Sequence, residues 1–152
     1  MHDRFKTVCD ALHSKFETLV RMPACTIATA EGTPIGGIYM FSEDDRHLYV
    51  GRTKRRIGVR LKNHVSTADD CPFAFRLARE ATGHTESRYS GNRTRDKLLA
   101  DPGFRSAYEA AKNRIRRMQV RWVDEADPVR QTLLEVYVSV VLGTPHNDFD
   151  TH

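Results

Sequence analysis

Apolar side chains recur at steps of three and four near the N-terminus: Phe5, Val8, Leu12, Phe16 and Leu19. This period predicts an amphipathic helix, with Asp3 as its N-cap. Residues 22–36 follow with two prolines and two glycines, a composition typical of a loop. The apolar face of the helix must pack on this domain or on a second subunit.

Two strand-like runs come next, Gly37–Phe41 and His47–Gly51, with the polar stretch Ser-Glu-Asp-Asp-Arg between them. Apolar runs joined by a polar turn predict a β-hairpin. Apolar residues at steps of four then predict a helix over about 55–66. Its edge toward the sheet carries Ile57, Leu61 and Val65.

Four further helices and one strand are predicted after residue 70. Pro72 begins a helix that Gly83 ends, a second helix covers 104–117, and Val120 and Trp122 mark a strand. A short helix is expected within the polar region 83–103. The last helix begins at Pro128 and ends at Gly143, with an apolar face of Leu133, Leu134, Tyr137, Val140 and Val141.

The pattern predicts an α+β fold with a small three-stranded antiparallel sheet flanked by helices. We expect an N-terminal helix and loop at 1–35, followed by a domain at 36–152 that contains a basic helical insertion at 68–117. The 152 residues, 39% hydrophobic and 29% charged, suffice for one domain with its own core. This composition excludes collagenous, membrane-spanning and wholly disordered chains.

The cysteines and the N-terminus indicate the cellular compartment in which the protein is expected. The three cysteines form no CxxC pair, so neither a disulfide framework nor a zinc site is indicated. The N-terminus lacks the apolar region of a secretory signal, and no apolar run is long enough to cross a bilayer. A cytoplasmic protein without a membrane partner is therefore expected.

The formal net charge of +4 hides an uneven distribution. Residues 52–121 carry 18 basic and 7 acidic groups, whereas residues 122–152 carry 1 basic and 6 acidic groups. A segment with a net charge of +11 favours a polyanionic partner, most often nucleic acid. A solvated basic surface is the alternative.

Two tripeptides give the hairpin a specific meaning. Gly-Ile-Tyr stands at 37–39 and Tyr-Val-Gly at 49–51, with nine residues between Tyr39 and Tyr49. Four more residues complete an ordered set: Arg60, His64, Glu135 and Asn147. Over roughly residues 36–66 and 118–148 this set resembles the GIY-YIG nuclease superfamily, with valine for the usual isoleucine in the second tripeptide. The resemblance implies an endonuclease that hydrolyses DNA phosphodiester bonds with Mg²⁺ or Mn²⁺.

The resemblance also assigns roles to five catalytic residues. Tyr39 is expected to be the general base, although members of the family divide on which tyrosine acts so. Tyr49 and His64 would shape the attacking water, Arg60 would stabilise the transition state, and Glu135 would hold the metal.

The chemistry of the residues agrees with these roles. An arginine fork suits a phosphate oxygen, and a tyrosine can accept a proton if cationic neighbours lower its pKa. A carboxylate within the apolar stretch Leu-Leu-Glu-Val-Tyr-Val needs a cation or a hydrogen-bonded partner. One hydrated Mg²⁺ held by a single carboxylate and the substrate phosphate meets that need.

Simpler roles compete with these assignments. Glu135 could pair with Arg130 or Arg121, and His64 could face solvent. Asn147 is as well suited to bracing the C-terminal turn as to contacting phosphate. The residues expected to contact substrate are Arg52, Thr53, Arg56, Arg93, Arg95 and Asn147. The stretch 89–96, rich in Asn, Arg and Ser, could read base edges.

The expected partner is DNA, with the duplex form favoured. The layout is closest to small restriction-type members of the superfamily, which commonly act as homodimers on palindromes. Two rival functions are a nucleic-acid-binding module that does not cut, and a nuclease for single-stranded, branched or RNA substrates.

Overall fold

The computed structural model describes residues 1–84 and 94–149. The helices in these residues are α1 (Asp3–Arg21), α2 (Ile57–Asn63), α3 (Pro72–Thr82), α4 (Arg95–Ala100), α5 (Pro102–Arg116) and α6 (Pro128–Leu142), with a 3₁₀ turn at Ile27–Thr29. The strands are β1 (Ile35–Glu43), β2 (Arg46–Arg56) and β3 (Gln119–Asp124). They form one antiparallel sheet in the order β2-β1-β3. The predicted α+β class, with three antiparallel strands and flanking helices, is confirmed.

The chain divides into two compact units. The first comprises Met1–Leu61 and the residues from Met118 onward, and it holds the sheet, α1 and α6. The second comprises Lys62–Arg117 and holds α3, α4 and α5. Across the described parts of both units, no helix combines the length and the apolar character needed to cross a membrane.

The hairpin is longer than the sequence pattern predicts. Ser42 and Glu43 pair with His47 and Arg46, so the turn consists of Asp44 and Asp45 alone. These two aspartates adopt positive φ angles of 51° and 62°. Two-residue turns of this kind match the twist of paired strands. The predicted five-residue turn is therefore wrong, because its outer residues continue the strand ladder.

The core of the first unit lies between the sheet and two helices. Its buried members are Leu12, Leu19, Ile38, Met40, Val50, Val123, Leu134 and Val138. Helix α1 therefore packs within its own chain, and its N-cap is His2, one residue earlier than predicted. The predicted apolar face of α6 is wrong at its end, since Val140 and Val141 are 72% and 51% exposed. Apolar residues occur on several sides of α6, so the sequence does not indicate which face is buried.

The second unit is built on aromatic packing between α3 and α5. Phe75 of α3 lies 5.2 Å from the ring of Phe104 in α5, and Tyr108 is fully buried beside them. Gly83 ends α3 with a φ of 77°, as predicted. Asp101 caps α5, because its carboxylate accepts a hydrogen bond from the Phe104 amide at 2.9 Å.

Candidate active site

The two tyrosines of the tripeptides lie on the same face of the sheet. In the β1–β2 register Tyr39 is opposite Gly51, and Phe41 is opposite Tyr49. Residues directly opposite, and residues two apart, share a face of an antiparallel pair. The prediction that both tyrosines share a face is therefore confirmed.

The tripeptide glycines are required by close contacts. The ring of Tyr39 lies across the backbone of Gly51, so that a Cβ there would overlap the Cζ, Cε2 and hydroxyl oxygen of the tyrosine. A Cβ on Gly37 would overlap the carbonyl oxygen of Val123 and lie 2.9 Å from Cδ1 of Ile57. Gly37 also has a φ of 154°, which disfavours other residues. Each glycine thus lets a neighbouring strand, helix or ring approach the backbone.

Helix α2 is anchored at its start by the loop before β1. The amide of Ile57 donates to the Pro34 carbonyl at 3.0 Å, and that of Gly58 donates to Oγ1 of Thr33 at 3.0 Å. Nη1 of Arg56 also donates to the Thr33 carbonyl at 2.7 Å. Thr33 is thus a remote cap for α2 that the sequence pattern did not predict. A signal existed, because Arg56 precedes the helix and offers no side-chain acceptor for its first amides.

Arg60 is the side chain that connects α2 to the sheet tyrosines. Its Nε donates a hydrogen bond to the hydroxyl of Tyr39 at 3.3 Å. Tyr39 is 1% exposed. Burial raises the pKa of its hydroxyl well above the ordinary value, the neighbouring Tyr49 raises it further, and Arg60 opposes the rise. The expectation that surrounding cations lower this pKa is wrong for the protein without substrate, because burial outweighs Arg60.

Glu135 of α6 forms an ion pair with Arg52 of β2. Nε of Arg52 lies 2.9 Å from Oε2 of Glu135, and the two side chains are 42% and 18% exposed, respectively. The alternative partners have other contacts, since Arg130 pairs with Glu125 at 3.1 Å and Arg121 donates to the Met22 carbonyl at 2.9 Å. Burial raises the pKa of Glu135, and the bonded Arg52 opposes that rise.

The donor set around Glu135 fits a particular kind of metal site. In the described residues there is no group of three or more His, Cys, Asp or Glu side chains placed to hold a metal ion. Glu135 alone supplies one partly accessible carboxylate, close enough to Tyr39 to raise its pKa slightly. This suits a divalent cation held by one carboxylate, substrate phosphate and water, and it does not suit a cage made only of protein ligands.

Asn147 braces the edge strand beside the second tripeptide. Its Oδ1 accepts from the Val50 amide at 2.9 Å, and its Nδ2 donates to the Val50 carbonyl at 2.8 Å. The amide of His146 donates to the Leu48 carbonyl at 3.1 Å, which extends the pairing along β2. Of the two roles considered for Asn147, bracing is the one the structure contains, and a phosphate contact stays a prediction.

His64 stands at the end of α2 and belongs to the second unit. The predicted helix was longer, but α2 ends at Asn63 and the chain continues in tighter turns, with the Val65 amide donating to the Lys62 carbonyl at 3.2 Å. The thiol of Cys71 donates to the Asn63 carbonyl at 3.1 Å, which holds this turn. His64 is fully buried, so the solvent-facing alternative is wrong.

The remaining predicted substrate contacts make bonds within the protein. Thr53 is buried and accepts from the Arg55 amide at 3.0 Å, and Arg56 holds Thr33 as described. In the second unit Nε of Arg95 donates to the Asp69 carbonyl at 3.2 Å, and its guanidinium lies 4.3 Å from the ring centre of Phe75. Arg93 lies outside the described residues, as does most of the stretch 89–96. Contact of these residues with substrate stays a prediction.

Four predicted catalytic side chains meet in the first unit. Arg60 is bonded to Tyr39, and both Tyr49 and Glu135 are near enough to change the pKa of that tyrosine. They come from β1, β2, α2 and α6. Comparison with known proteins yields no matching family model, no similar curated protein and no similar solved structure.

Proposed function

We propose that this protein is an endonuclease that hydrolyses DNA phosphodiester bonds with the help of Mg²⁺ or Mn²⁺. The observation that carries the proposal is the surroundings of the Tyr39 hydroxyl. It accepts a hydrogen bond from Arg60 and lies within electrostatic reach of Tyr49 and Glu135. A proton acceptor, a phosphate-binding cation and a metal-binding carboxylate are the groups that this hydrolysis requires.

Tyr39 and Arg60 act together in the proposed reaction. Arg60 binds a non-bridging phosphate oxygen and stabilises the charge that develops on it. Tyr39, after its own hydroxyl proton has been lost to solvent, holds the attacking water and accepts a proton from it. Because burial raises the pKa of Tyr39, the resting residue is a neutral hydroxyl, and proton acceptance requires added positive charge nearby. Arg60 already acts in that direction.

Glu135 is the residue that would hold the divalent cation. Bound there and to the substrate phosphate, the cation would supply Lewis-acid stabilisation of the phosphate and favour the ionised form of Tyr39. Tyr49 is proposed to order the water and its hydrogen bonds. A catalytic role for His64, which belongs to the second unit, stays a prediction. Asn147 keeps Val50 in place between Tyr49 and Gly51.

The charge distribution supports DNA as the substrate, with duplex DNA favoured. The basic segment 52–121 begins directly after the second tripeptide and includes Arg60. Lysine and arginine contacts to phosphates supply most non-specific affinity for nucleic acid. A restriction-type enzyme that acts as a dimer in the cytoplasm is the form of this proposal that the layout of the motifs favours.

A module that binds nucleic acid without cutting it is the second candidate. Two observations favour it, namely the raised pKa of Tyr39 and the ion pair that occupies Glu135. A scaffold that had lost its activity would show both. The complete set of candidate groups around Tyr39 supports the enzyme instead.

Nicking of supercoiled plasmid tests the two candidates. We expect relaxation with Mg²⁺ or Mn²⁺ and none with EDTA, and we expect Arg60→Ala and Glu135→Gln to abolish it while retaining DNA binding. Glu31→Gln, a change at an exposed loop carboxylate, serves as the control and should cut normally. Absence of nicking by the parent protein in every condition, while it still binds DNA, would establish the binding module.

The substrate class needs a separate comparison. Duplex, single-stranded, branched and RNA substrates of matched sequence should be cut at different rates, with the duplex fastest. Cut sites mapped on one end-labelled duplex would then show whether a palindrome repeats among them. Scattered cuts would exclude a restriction-type specificity, while the proposal of a nuclease activity would stand.

A further inference from the structure

We propose that Arg52 couples phosphate binding to cation binding by exchanging partners at Glu135. In the protein without substrate, Arg52 occupies the carboxylate on which the proposed function depends, with Nε 2.9 Å from Oε2. When a phosphodiester arrives, Arg52 turns to the phosphate and Glu135 becomes available to a divalent cation. This inference rests on the proposed function and adds the order in which the site is completed.

The exposure of the two side chains indicates which partner moves. Glu135 is fixed on α6 next to the buried Leu134, and only 18% of its side chain is exposed. Arg52 reaches it from the edge strand β2 and is 42% exposed. A long, exposed arginine can change partners by rotating its side chain, whereas the glutamate would have to leave a packed helix face.

Charge favours the exchange in both directions. Without substrate, a lone carboxylate in a partly buried position is costly, and Arg52 neutralises it. A phosphodiester offers Arg52 another anion with geometry suited to its fork. Glu135, once released by Arg52, would hold the divalent cation, which would neutralise the carboxylate in place of Arg52. Cation and DNA should therefore bind cooperatively, and the coupling should depend on Arg52.

Binding of Mn²⁺ alone tests the first half of the exchange. Arg52→Gln should bind Mn²⁺ about fivefold more tightly than the parent without DNA, the size expected for a partly exposed ion pair. Arg55→Gln removes the same charge three residues along β2 and corrects for the general electrostatic effect. Arg52→Leu should reproduce the tightening. Equal affinities for Arg52→Gln and Arg55→Gln, measured by electron paramagnetic resonance, would overturn the proposal.

The second half is tested by the effect of Mn²⁺ on DNA affinity. Fluorescence anisotropy of a labelled duplex, in a Tyr39→Phe background that prevents cutting, gives the affinity with Mn²⁺ and with EDTA. By reciprocity, the gain from Mn²⁺ should be about fivefold smaller once Arg52 is replaced by Gln. An unchanged gain would refute the exchange.

A third variant separates this inference from the proposed function. Glu135→Gln should lose Mn²⁺ binding at the site. If it binds Mn²⁺ as the parent does, the cation site itself is wrong and the exchange fails with it. If it loses Mn²⁺ while Arg52→Gln gains nothing, the cation site stands and only the exchange fails.

Discussion

Gly51→Ala should destabilise the first unit through a single contact, with the ring of Tyr39. An added Cβ would overlap the Cζ, the Cε2 and the hydroxyl oxygen of Tyr39. The ring cannot swing away cheaply, because Tyr39 is 1% exposed and its hydroxyl is bonded to Arg60. Overpacking of buried sites typically costs 1–3 kcal/mol, and we expect about 3 kcal/mol here. That is a large part of the roughly 5–15 kcal/mol that keeps a domain folded.

A double-mutant cycle isolates the ring as the cause. Tyr39→Ala alone should cost about 4 kcal/mol, as is usual when a buried aromatic side chain is lost. In that background Gly51→Ala places its methyl group in vacated space and should cost nearly nothing. The double variant should therefore be about 3 kcal/mol more stable than the sum of the single changes predicts.

Urea unfolding followed by Trp122 fluorescence is the assay. Trp122 is the one tryptophan of the chain and is the β3 neighbour of Tyr39 in the sheet register, so its signal reports on the first unit. Gly103→Ala adds the same methyl group in α5 of the second unit, where the nearest atom would be an Asp101 carboxylate oxygen at 3.3 Å, so it should change stability little. If Gly51→Ala costs as much without the Tyr39 ring as with it, the steric explanation is refuted.

Three further changes test other contacts, each by urea unfolding. Burial raises the pKa of Glu135, so the folded protein binds that proton more tightly than the unfolded chain and loses stability as pH rises through the folded pKa. Glu135→Gln should remove this loss and be more stable than the parent at neutral pH but not in acid. A variant less stable than the parent at neutral pH would contradict the direction of the pKa shift. Asn147→Ala should cost about 2 kcal/mol, because it removes both hydrogen bonds to Val50, and a cost near zero would show that water replaces them. Thr33→Val should cost about 1 kcal/mol of stability and slow nicking, because the Gly58 amide loses its acceptor. Thr33→Ser keeps a hydroxyl and should restore both stability and nicking. If the serine variant is as unstable as the valine variant, the hydrogen bond is not the cause.

The sequence predicted most elements because their signals are local. Pro72 is the first residue of α3 and Gly83 is its C-cap, and Pro128 is the first residue of α6. Strand β1 was underestimated because every residue from 36 to 42 is buried, so no alternation of apolar and polar positions marks its extent. Helix α6 was found, but its buried face was not, since valines occur on several of its sides.

The sequence could predict which residues form the candidate site, but not which residues they bond to. The motifs supplied Tyr39, Arg60 and Glu135, and the strand register placed the tyrosines on one face. The partner of Glu135 is 83 residues away in sequence, and the partner of Asn147 is 97 residues away. Such pairs depend on how α6 and the C-terminal turn meet the edge strand, which no local pattern encodes. Thr33 is different, because the missing local cap of α2 pointed to a remote one.

The direction of the pKa shifts was also beyond the sequence, and it changes how the proposed site must work. The number of basic side chains nearby predicted a lowered pKa for Tyr39, whereas burial of its side chain raises that pKa. Burial also raises the pKa of Glu135, although the bonded Arg52 opposes that rise. Tyr39 is thus held in its neutral form until more positive charge reaches it, whereas Glu135 already has the Arg52 guanidinium 2.9 Å away. In the proposed reaction the divalent cation would bring that charge to Tyr39 together with the DNA phosphate, so Tyr39 would accept a proton only when both are bound.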